Sequence, residues 1–419
     1  MWRPQGQRHG PMLERVLVNL SDIDLYDPDN YVDAVPHEMF ATLRREAPVF
    51  WHAKPDDVGF WCVTRHADIV HVNRDAGLFS SWEQSALMEV PPPDALAMTR
   101  LMMLNMDPPQ HTQLRKIVNR GFTPKRIRDL MEVLEQRAAL IVDDIIDRGS
   151  CDFVSEVAAE LPLQAIAEFL GVPQEDRRMI FDWSNKLIGF DDPEFRTSEE
   201  QATEAATQLY AYAEGLAAER QANPRDDIVT ALVTAEVDGE ALTTNEFDLF
   251  FLLLAVAGNE TTRNAISHGM LALIEHPDQR QRLLEDPTLI DTAIEEILRW
   301  ATPVMHFRRT ATSDLELHGQ AIQAGDGVIM WHMSANRDED VFDDPYTFDI
   351  GREHNPHTMH VAFGGGGPHF CLGANLARAE MKVMFEAILP RIPAMELTAP
   401  PRRLRSNFIN GIKEMPVGW

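Results

Sequence analysis

The chain has 419 residues, of which 44% are hydrophobic, so it is long enough to bury a large core. Its formal net charge of −28 at pH 7 argues against nucleic acids and anionic membrane surfaces as partners. Three widely spaced cysteines provide neither a disulfide framework nor a zinc pair, and they favour a reducing, cytoplasmic location.

The N-terminal segment does not resemble a targeting signal. Residues 1–20 contain several charges and no continuous apolar core, so we expect neither a signal peptide nor a membrane anchor. The most apolar run, 247–258, includes Asp248 and is shorter than the roughly 20 residues that span a bilayer. No linker or repeat interrupts the chain, so we expect an N-terminal arm over residues 1–30 and a single domain over residues 31–419.

Most of the predicted elements are helices. Pro36 begins a predicted helix that ends at Glu46, and two β-rich segments follow at 49–51 and 59–64. From about 105 to 300 almost all of the hydrophobic periodicity is helical. The breaks in it fall at Pro124, Gly149, Pro173, Pro193 and Pro224.

The β signal returns in the last third of the chain, at 303–333, and short apolar segments follow at 408–409 and 415–417. This order lacks the alternation of strands and helices that builds a parallel sheet. The sequence therefore predicts a mainly α fold with a minor β-sheet region, whose β-rich lobe comprises residues of about 49–64 and 303–333.

A glycine-rich segment delivers one cysteine to the start of a predicted helix. Four glycines at 364–367 precede Cys371, Gly373 follows it, and residues 374–381 are expected to be helical. Glycine allows the backbone to approach a flat partner closely, and the amides at a helix N-terminus stabilise a negative sulfur. A buried structural cysteine is the alternative, but the glycines and the helix favour a thiolate ligand.

A second motif, Ala257-Gly258-Asn259-Glu260-Thr261-Thr262, ends an apolar helical run. A glycine inside a helix costs about 1 kcal/mol relative to alanine, and space for a small molecule would explain it. Thr261 can hydrogen-bond to the carbonyl of Ala257 and open the helix there, and Glu260 can relay protons. The alternative is a packing kink with Glu260 paired to a surface base.

These two motifs resemble those of the cytochrome P-450 monooxygenases, and the resemblance extends from about residue 30 to the C-terminus. It implies the family's fold, haem b as the cofactor, Cys371 as the iron ligand, and insertion of one oxygen atom from O₂ into a substrate. It implies that Glu260 and Thr261 activate oxygen. The residues that it places against the haem are Ala257, Gly258, Phe363, Gly364 and Gly373.

The glycine loop departs from the commonest family pattern in one respect. Phe363 lies eight residues before Cys371, where seven is the usual spacing, so the loop carries one extra residue. This leaves the conformation of the loop and the position of Phe363 open.

Two further groups of residues gain roles from the resemblance. Four donors are expected to bind the haem propionates, because guanidinium and imidazole groups suit carboxylates: His111, Arg115, Arg309 and His369. A structural charge network is expected behind the haem, because an i, i+3 pair shares one helix face and the family supplies a third partner at the observed spacing: Glu296, Arg299 and Arg352.

The electron donors are expected to be separate proteins, a ferredoxin and its reductase, because no flavin or iron–sulfur domain follows Trp419. A basic island in this acidic chain is a candidate docking site for the ferredoxin, with a solvated helix face as the alternative. It consists of Arg115, Lys116, Arg120, Lys125, Arg126 and Arg128.

The expected substrate is a hydrophobic small molecule, although the same side chains could be plain core. Its predicted lining consists of Leu101, Met103, Val256, Val304, Met305 and Phe408. The irregular, Met-rich segment 80–104 could face the substrate or pack on the core.

Several stretches, including 103–107, 120–124, 299–303 and 410–413, resemble the actinobacterial branch that hydroxylates terminal methyl groups of steroid side chains and methyl-branched lipids. Terminal methyl hydroxylation is therefore the expected reaction. A terpenoid hydroxylase of the same fold is the first alternative. A peroxide-driven haem enzyme would not need Glu260 and Thr261, and a non-enzymatic haem sensor is expected to carry an output domain, which is not visible.

Overall fold

The computed structural model describes residues 18–54, 57–119, 122–188, 192–194, 198–237, 240–355 and 359–419. Within these residues, helices dominate the chain. They are α1 (His37–Glu46), α2 (His66–Arg74), α3 (Pro93–Thr99), α4 (Gln110–Val118), α5 (Pro124–Ile146), α6 (Glu160–Leu170), α7 (Arg177–Ile188), α8 (Glu199–Ala222), α9 (Ile228–Val233), α10 (Thr244–Glu275), α11 (Pro277–Glu285), α12 (Ile290–Ala301), α13 (His332–Ala335) and α14 (Ala374–Ile388).

The strands are short and form small sheets. They are β1 (Val49–Lys54), β2 (Asp57–Val63), β3 (Phe79–Ser80), β4 (Ser150–Asp152), β5 (Glu236–Val237), β6 (Glu240–Ala241), β7 (His306–Ala311), β8 (Leu315–Leu317), β9 (Gln320–Ile322), β10 (Gly327–Trp331), β11 (Glu396–Leu397), β12 (Arg402–Arg403), β13 (Ile412–Glu414) and β14 (Pro416–Gly418). The predicted mainly α fold with a minor sheet region is confirmed.

The largest sheet joins the two β-rich parts of the sequence, in the order β1-β2-β10-β7-β3. β1 and β2 form an antiparallel hairpin in which Trp51 lies opposite Trp61. β10 runs parallel to β2 and antiparallel to β7. Every residue of β10 is buried, which fits its nearly continuous apolar sequence and its central place. The register of the sheet places Arg309 opposite Val328.

Helix α10 is the central helix of the fold. It begins with a capping box, in which the backbone N–H of Glu246 donates to Thr243 Oγ1 and the Glu246 carboxylate accepts from the backbone N–H of Thr243. Its apolar sequence is buried on most sides, against α6, α8 and α12. Of the helices in the described ranges, α10 included, none is long and apolar enough to cross a membrane.

Three short strands, β4, β5 and β6, lie inside the stretch that the sequence predicts to be almost entirely helical. β4 pairs with β14, so that Cys151 lies opposite Val417, and β5 pairs with β6. The partner of β4 is more than 260 residues away in sequence, so local periodicity could not reveal it. Near the C-terminus, Ile409 makes only an isolated bridge to Val304, and the closing strands are β13 and β14.

Candidate active site

The glycine loop before Cys371 is packed against α2. All four glycines from Gly364 to Gly367 have positive φ, between 67° and 107°. A Cβ at Gly367 would collide with the backbone carbonyl of Asn73, and one at Gly365 would press on Val70. The loop therefore accommodates its extra residue by folding tightly onto α2. Its closing contact is a hydrogen bond of 3.1 Å from the Cys371 N–H to the carbonyl of Phe363.

Cys371 lies two residues before Gly373, the N-cap of α14, as the sequence predicts. Cys371 has accessible surface, although it is closely surrounded by protein groups. Burial raises the pKa of the thiol, while the backbone N–H groups of Gly373 and Ala374 and the guanidinium groups of Arg115 and Arg378 act to lower it. These are the dipoles and charges that would stabilise a thiolate ligand.

The middle of α10 carries the second group of predicted site residues. Ala257 is exposed and Thr261 is partly exposed, although the residues between them, Asn259 and Glu260, are buried. Thr261 Oγ1 donates to the carbonyl of Ala257 over 2.8 Å, as predicted. The helix nevertheless continues without interruption to Glu275, so the predicted opening is not seen. A Cβ at Gly258 would lie 3.0 Å from Ile166 Cδ1, which gives this glycine a packing reason.

Glu260 is buried, and only one of its two carboxylate oxygens has a hydrogen-bond partner among the described residues. Its Oε2 accepts a charge-assisted hydrogen bond from Arg263, which is also buried, so the partner is not the surface base of the alternative hypothesis. Its Oε1 is buried and has no hydrogen-bond partner among the described residues. Burial raises the pKa of Glu260, and Arg263 opposes that shift. A carboxyl with one oxygen fixed and the other free can exchange a proton through the free oxygen.

The four predicted propionate donors gather beside the cysteine loop. The rings of His111 and His369 lie 4.3 Å apart, and Arg115 Nη2 donates to the carbonyl of Phe370 over 2.6 Å. Arg309, on β7, reaches the Asn73 side chain over 3.3 Å. Helix α4, strand β7 and the loop before α14 thus bring together residues from three distant parts of the chain.

This cluster carries positive charge that lacks an equivalent counter-charge. Burial lowers the pKa of Arg309 to about 10, and burial together with Arg115 and Arg309 lowers that of His111 to about 4. Among the described residues, the carboxylate that opposes these shifts is Asp107, which already accepts from the N–H of Ser81 over 2.8 Å. His111 Nε2 has no partner in the described ranges. The donor set therefore fits a ligand with two carboxylates, as haem propionates require.

The predicted charge network is assembled around Glu296. Its two oxygens accept from Arg299 Nη2 and Nε, each over 2.7 Å, and Arg352 Nε donates over 3.1 Å. The backbone N–H of Asp349 adds a bond of 3.0 Å. The side chains of Glu296 and Arg299 have no exposed surface. The network ties α12 to the segment before the cysteine loop.

The predicted substrate lining is divided by the structure. Val304 and Phe408 are partly exposed and adjacent in space, since Val304 bridges Ile409 and the Met305 N–H donates to the Phe408 carbonyl over 2.8 Å. Leu101 and Val256 are also partly exposed. The side chain of Met305, however, has no exposed surface and packs in a core cluster with Phe60 and Trp331, so the structure does not place it beside Val304 and Phe408 on the exposed lining. Met103 is 6% exposed and packs into the helical core.

Sequence reasoning missed several residues that contact the predicted site. Arg263 could have been found, because it lies three residues after Glu260 on the same helix. Asn73, which supports both the glycine loop and Arg309, carries no local signal. The same holds for His360 and Arg378, which share Glu295 as their partner. In the basic island, Arg120 lies outside the described residues, whereas Lys116, Lys125 and Arg128 are exposed.

Comparisons with known proteins agree with this arrangement. The family model described as "Cytochrome P-450" matches residues 94–406. A steroid C26-monooxygenase from Rhodococcus jostii is 48% identical over 405 residues, which cover 94% of this chain and 84% of the relative. A methyl-branched lipid omega-hydroxylase from Mycobacterium tuberculosis is 45% identical over 414 residues, which cover 96% of each chain.

The fold also matches solved structures closely. The structure of Mycobacterium marinum cytochrome P-450 CYP268A2 in complex with pseudoionone superimposes with a TM-score of 0.85. Its sequence is 43% identical, and the match covers 91% of this chain and 94% of that chain.

Proposed function

The chain belongs to the cytochrome P-450 family and is a monooxygenase, and on that premise we propose that it hydroxylates a terminal methyl group of a steroid side chain or methyl-branched lipid. One observation carries this proposal. Two relatives of nearly equal identity are named for different substrates, a steroid and a branched lipid, yet "C26" and "omega" both designate a chain end. The shared element is the position that is oxidised.

Haem b is the cofactor of this family, and the groups around the cysteine loop are suited to hold it. We propose that Cys371 binds the iron and that His111, Arg115, Arg309 and His369 bind the two propionates. The remaining proposed contacts come from the loop, the helix cap and the exposed stretch of α10: Phe363, Gly364, Gly373, Ala257 and Gly258. When bound, haem b supplies the activation of O₂ and the transfer of one oxygen atom to the substrate.

The protein's own part in oxygen activation is the delivery of protons. Thr261 Oγ1 donates a hydrogen bond to the Ala257 carbonyl, so its lone pairs can accept a hydrogen bond from a donor on the opposite side. The preceding residue, Glu260, carries a titratable carboxyl. Its Oε1 has no hydrogen-bond partner among the described residues and can exchange a proton. We infer that these two residues form a relay from the protein interior to the proposed haem site, in which the Thr261 hydroxyl turns away from the Ala257 carbonyl, receives one proton and passes its own proton on.

Replacing Thr261 with alanine is expected to uncouple oxygen use from hydroxylation. Product formed per reducing equivalent should fall by about tenfold or more, since a positioned proton donor typically contributes 10²–10⁴-fold to rate. The lost equivalents should appear as hydrogen peroxide. Oxygen consumption, peroxide and product measured together provide the test. Thr261→Ser keeps the hydroxyl and should retain most of the coupling, whereas wild-type coupling in Thr261→Ala would remove Thr261 from the relay.

The electron donors in this proposal are a ferredoxin and a ferredoxin reductase. The exposed cations Lys116, Lys125 and Arg128 stand out on a chain with a net charge of −28, and they suit an acidic partner. Reconstitution with both donor proteins is therefore the assay in which the substrate predictions are read.

A titration of the haem spin state is expected to identify the substrate class. A sterol with its side chain intact and a methyl-branched fatty acid should each shift the haem toward high spin and yield a terminal alcohol. A steroid that lacks the side chain should bind at least about a hundredfold more weakly, because about eight apolar carbons at about 0.8 kcal/mol each remain unburied. Products are identified by mass spectrometry against authentic alcohols.

Two results would contradict the assignment. Oxidation at a ring carbon of the steroid would show that the side chain is not the end of the substrate that is presented to the haem. A spin shift with pseudoionone or other terpenoids, together with none from sterols or branched fatty acids, would favour the terpenoid alternative. That alternative is kept because a similar structure was determined with pseudoionone bound.

A further inference from the structure

Two neighbouring carboxylates of α12, Glu295 and Glu296, hold different parts of the molecule. Glu296 pairs with Arg299 and Arg352, as described above. Glu295 points toward the cysteine loop, where it accepts hydrogen bonds from two residues that flank the glycine run, His360 and Arg378. Both carboxylates lie in one turn of the helix, so a single element anchors two segments that precede Cys371.

The first bond of Glu295 fixes the start of the loop. His360 Nε2 donates to Glu295 Oε2 over 3.1 Å. His360 Nδ1 accepts from the backbone N–H of Ala362 over 3.1 Å. With Nδ1 as an acceptor, the neutral ring must carry its proton on Nε2, so one tautomer satisfies both bonds. The side chain of His360 is completely buried, which makes its orientation depend on these two partners.

The second contact of Glu295 acts through Arg378 on α14. Arg378 Nη2 donates to Glu295 Oε2 over 2.9 Å, and Nε pairs with Oε1 in a two-pronged contact. The guanidinium of Arg378 also lies 4.5 Å from the centre of the Phe363 ring. The Phe363 carbonyl accepts the hydrogen bond from the N–H of Cys371. Glu295 therefore holds His360 directly. Through Arg378 it also holds Phe363, whose carbonyl is hydrogen-bonded to the N–H of Cys371.

The charge state of Glu295 suits this role. Burial alone would raise its pKa, but the hydrogen bonds from Arg378 and His360 outweigh burial and lower the pKa to about 2. The group is thus a carboxylate at any physiological pH. The Glu295 carboxylate is partly buried and accepts from a charged donor, Arg378, and a neutral one, His360. It is a strong anchor, because its replacement would weaken or remove the acceptor of both donors.

We propose that Glu295 is a positioning residue for Cys371, acting through His360 and Arg378 to hold the cysteine loop in the geometry that keeps the sulfur bound to the haem iron as thiolate. This inference rests on the proposed role of Cys371 as the ligand. It adds a second anchor to the charge network around Glu296 and gives the two adjacent glutamates separate tasks.

Glu295→Gln tests the proposal through the absorbance of the holoenzyme, reduced with dithionite and saturated with CO. We expect the ratio of the neutral-thiol band to the thiolate band to rise about tenfold, as the loss of one charge-assisted hydrogen bond implies. Glu295→Asp retains the carboxylate and should restore most of the thiolate band. If Glu295→Gln yields too little folded protein, Arg378→Lys, which removes the two-pronged contact with Glu295, supplies the same ratio under a milder perturbation.

Asp291→Asn is the matched control. Asp291 also lies on α12 and pairs with a cation of α14, Lys382, over 2.8 Å. Neither residue contacts the cysteine loop, so the band ratio should stay at the wild-type value. Thermal unfolding of each variant separates a loss of overall stability from a change of ligation in the folded enzyme.

The outcomes distinguish this proposal from the one on which it rests. A wild-type band ratio in folded Glu295→Gln would overturn the positioning role. A slower reduction by ferredoxin with unchanged spectra would also overturn it, and would make Glu295 part of a docking surface. Absence of the thiolate band in the wild-type protein would instead refute Cys371 as the ligand.

Discussion

Replacing Cys371 with serine is expected to abolish the thiolate absorbance band of the reduced, CO-bound enzyme and all oxygen insertion. A serine hydroxyl remains protonated where a cysteine thiol can ionise, so the variant cannot push electron density toward the iron. The N–H groups of Gly373 and Ala374, which help to stabilise a negative sulfur, would then face a neutral group. The measurement is the difference spectrum together with product formation in the reconstituted system.

A second cysteine provides the control for this experiment. Cys151, on β4, is only 8% exposed and lies far from the loop in sequence. Burial raises the pKa of its thiol to about 12, so it behaves as a core thiol. Cys151→Ala should retain the thiolate band even if the protein becomes less stable. A thiolate band that persists in Cys371→Ser would contradict the assignment, whatever its intensity.

Replacing Glu296 with glutamine is expected to cost about 3–5 kcal/mol of folding free energy, the range for removing one member of a buried ion pair. Arg299 would lose its counter-charge in a position with no exposed surface. Arg352 and the N–H of Asp349 would lose an acceptor as well. Because this network supports the segment before the cysteine loop, haem should be released at a lower temperature. Thermal unfolding and haem retention are the measurements.

The pH dependence of this network follows from the pKa of Glu296. Burial alone would raise it, but the hydrogen bonds and charge of Arg299, with His354 and the charge of Arg352 nearby, lower it from 4.5 to about 2. A group whose pKa falls on folding stabilises the protein above its unfolded value, and that contribution is lost as the pH drops toward 2. Wild-type stability should therefore fall between about pH 4.5 and 2 more steeply than that of Glu296→Gln.

The exposed carboxylate Asp291 again serves as a control, since surface pairs contribute about 0–1 kcal/mol. Its side chain is 75% exposed. Asp291→Asn should unfold within a few degrees of the wild type. If Glu296→Gln also unfolded within a few degrees of the wild type, the network would not be required for the stability of the fold.

The structure gives a physical account of the loop's extra residue, which the sequence leaves open. Four successive glycines with positive φ fold the chain onto α2, where side chains at Gly365 and Gly367 would collide with Val70 and with the backbone of Asn73. Asn73 also contacts Arg309. Helix α2 therefore contacts both the cysteine loop and Arg309, a proposed propionate donor, and this depends on packing that no local pattern encodes.

The sequence by itself determined the chemistry of this protein. The glycine run, Cys371 and the following helix are contiguous, and so are Glu260 and Thr261, so their local relations are set by chain geometry and are legible without a structure. The mainly helical fold could be predicted for the same reason, because hydrophobic periodicity and proline breaks act over a few residues.

Tertiary structure alone decided which distant residues meet. The sequence pairs Glu296 with Arg299, three residues further along the same helix, but only packing brings the neighbouring Glu295 to His360 and Arg378. It also turned Met305 into the core, away from the predicted substrate lining. The physical reason is that contacts across many residues depend on how whole helices and sheets pack, which side-chain periodicity does not specify.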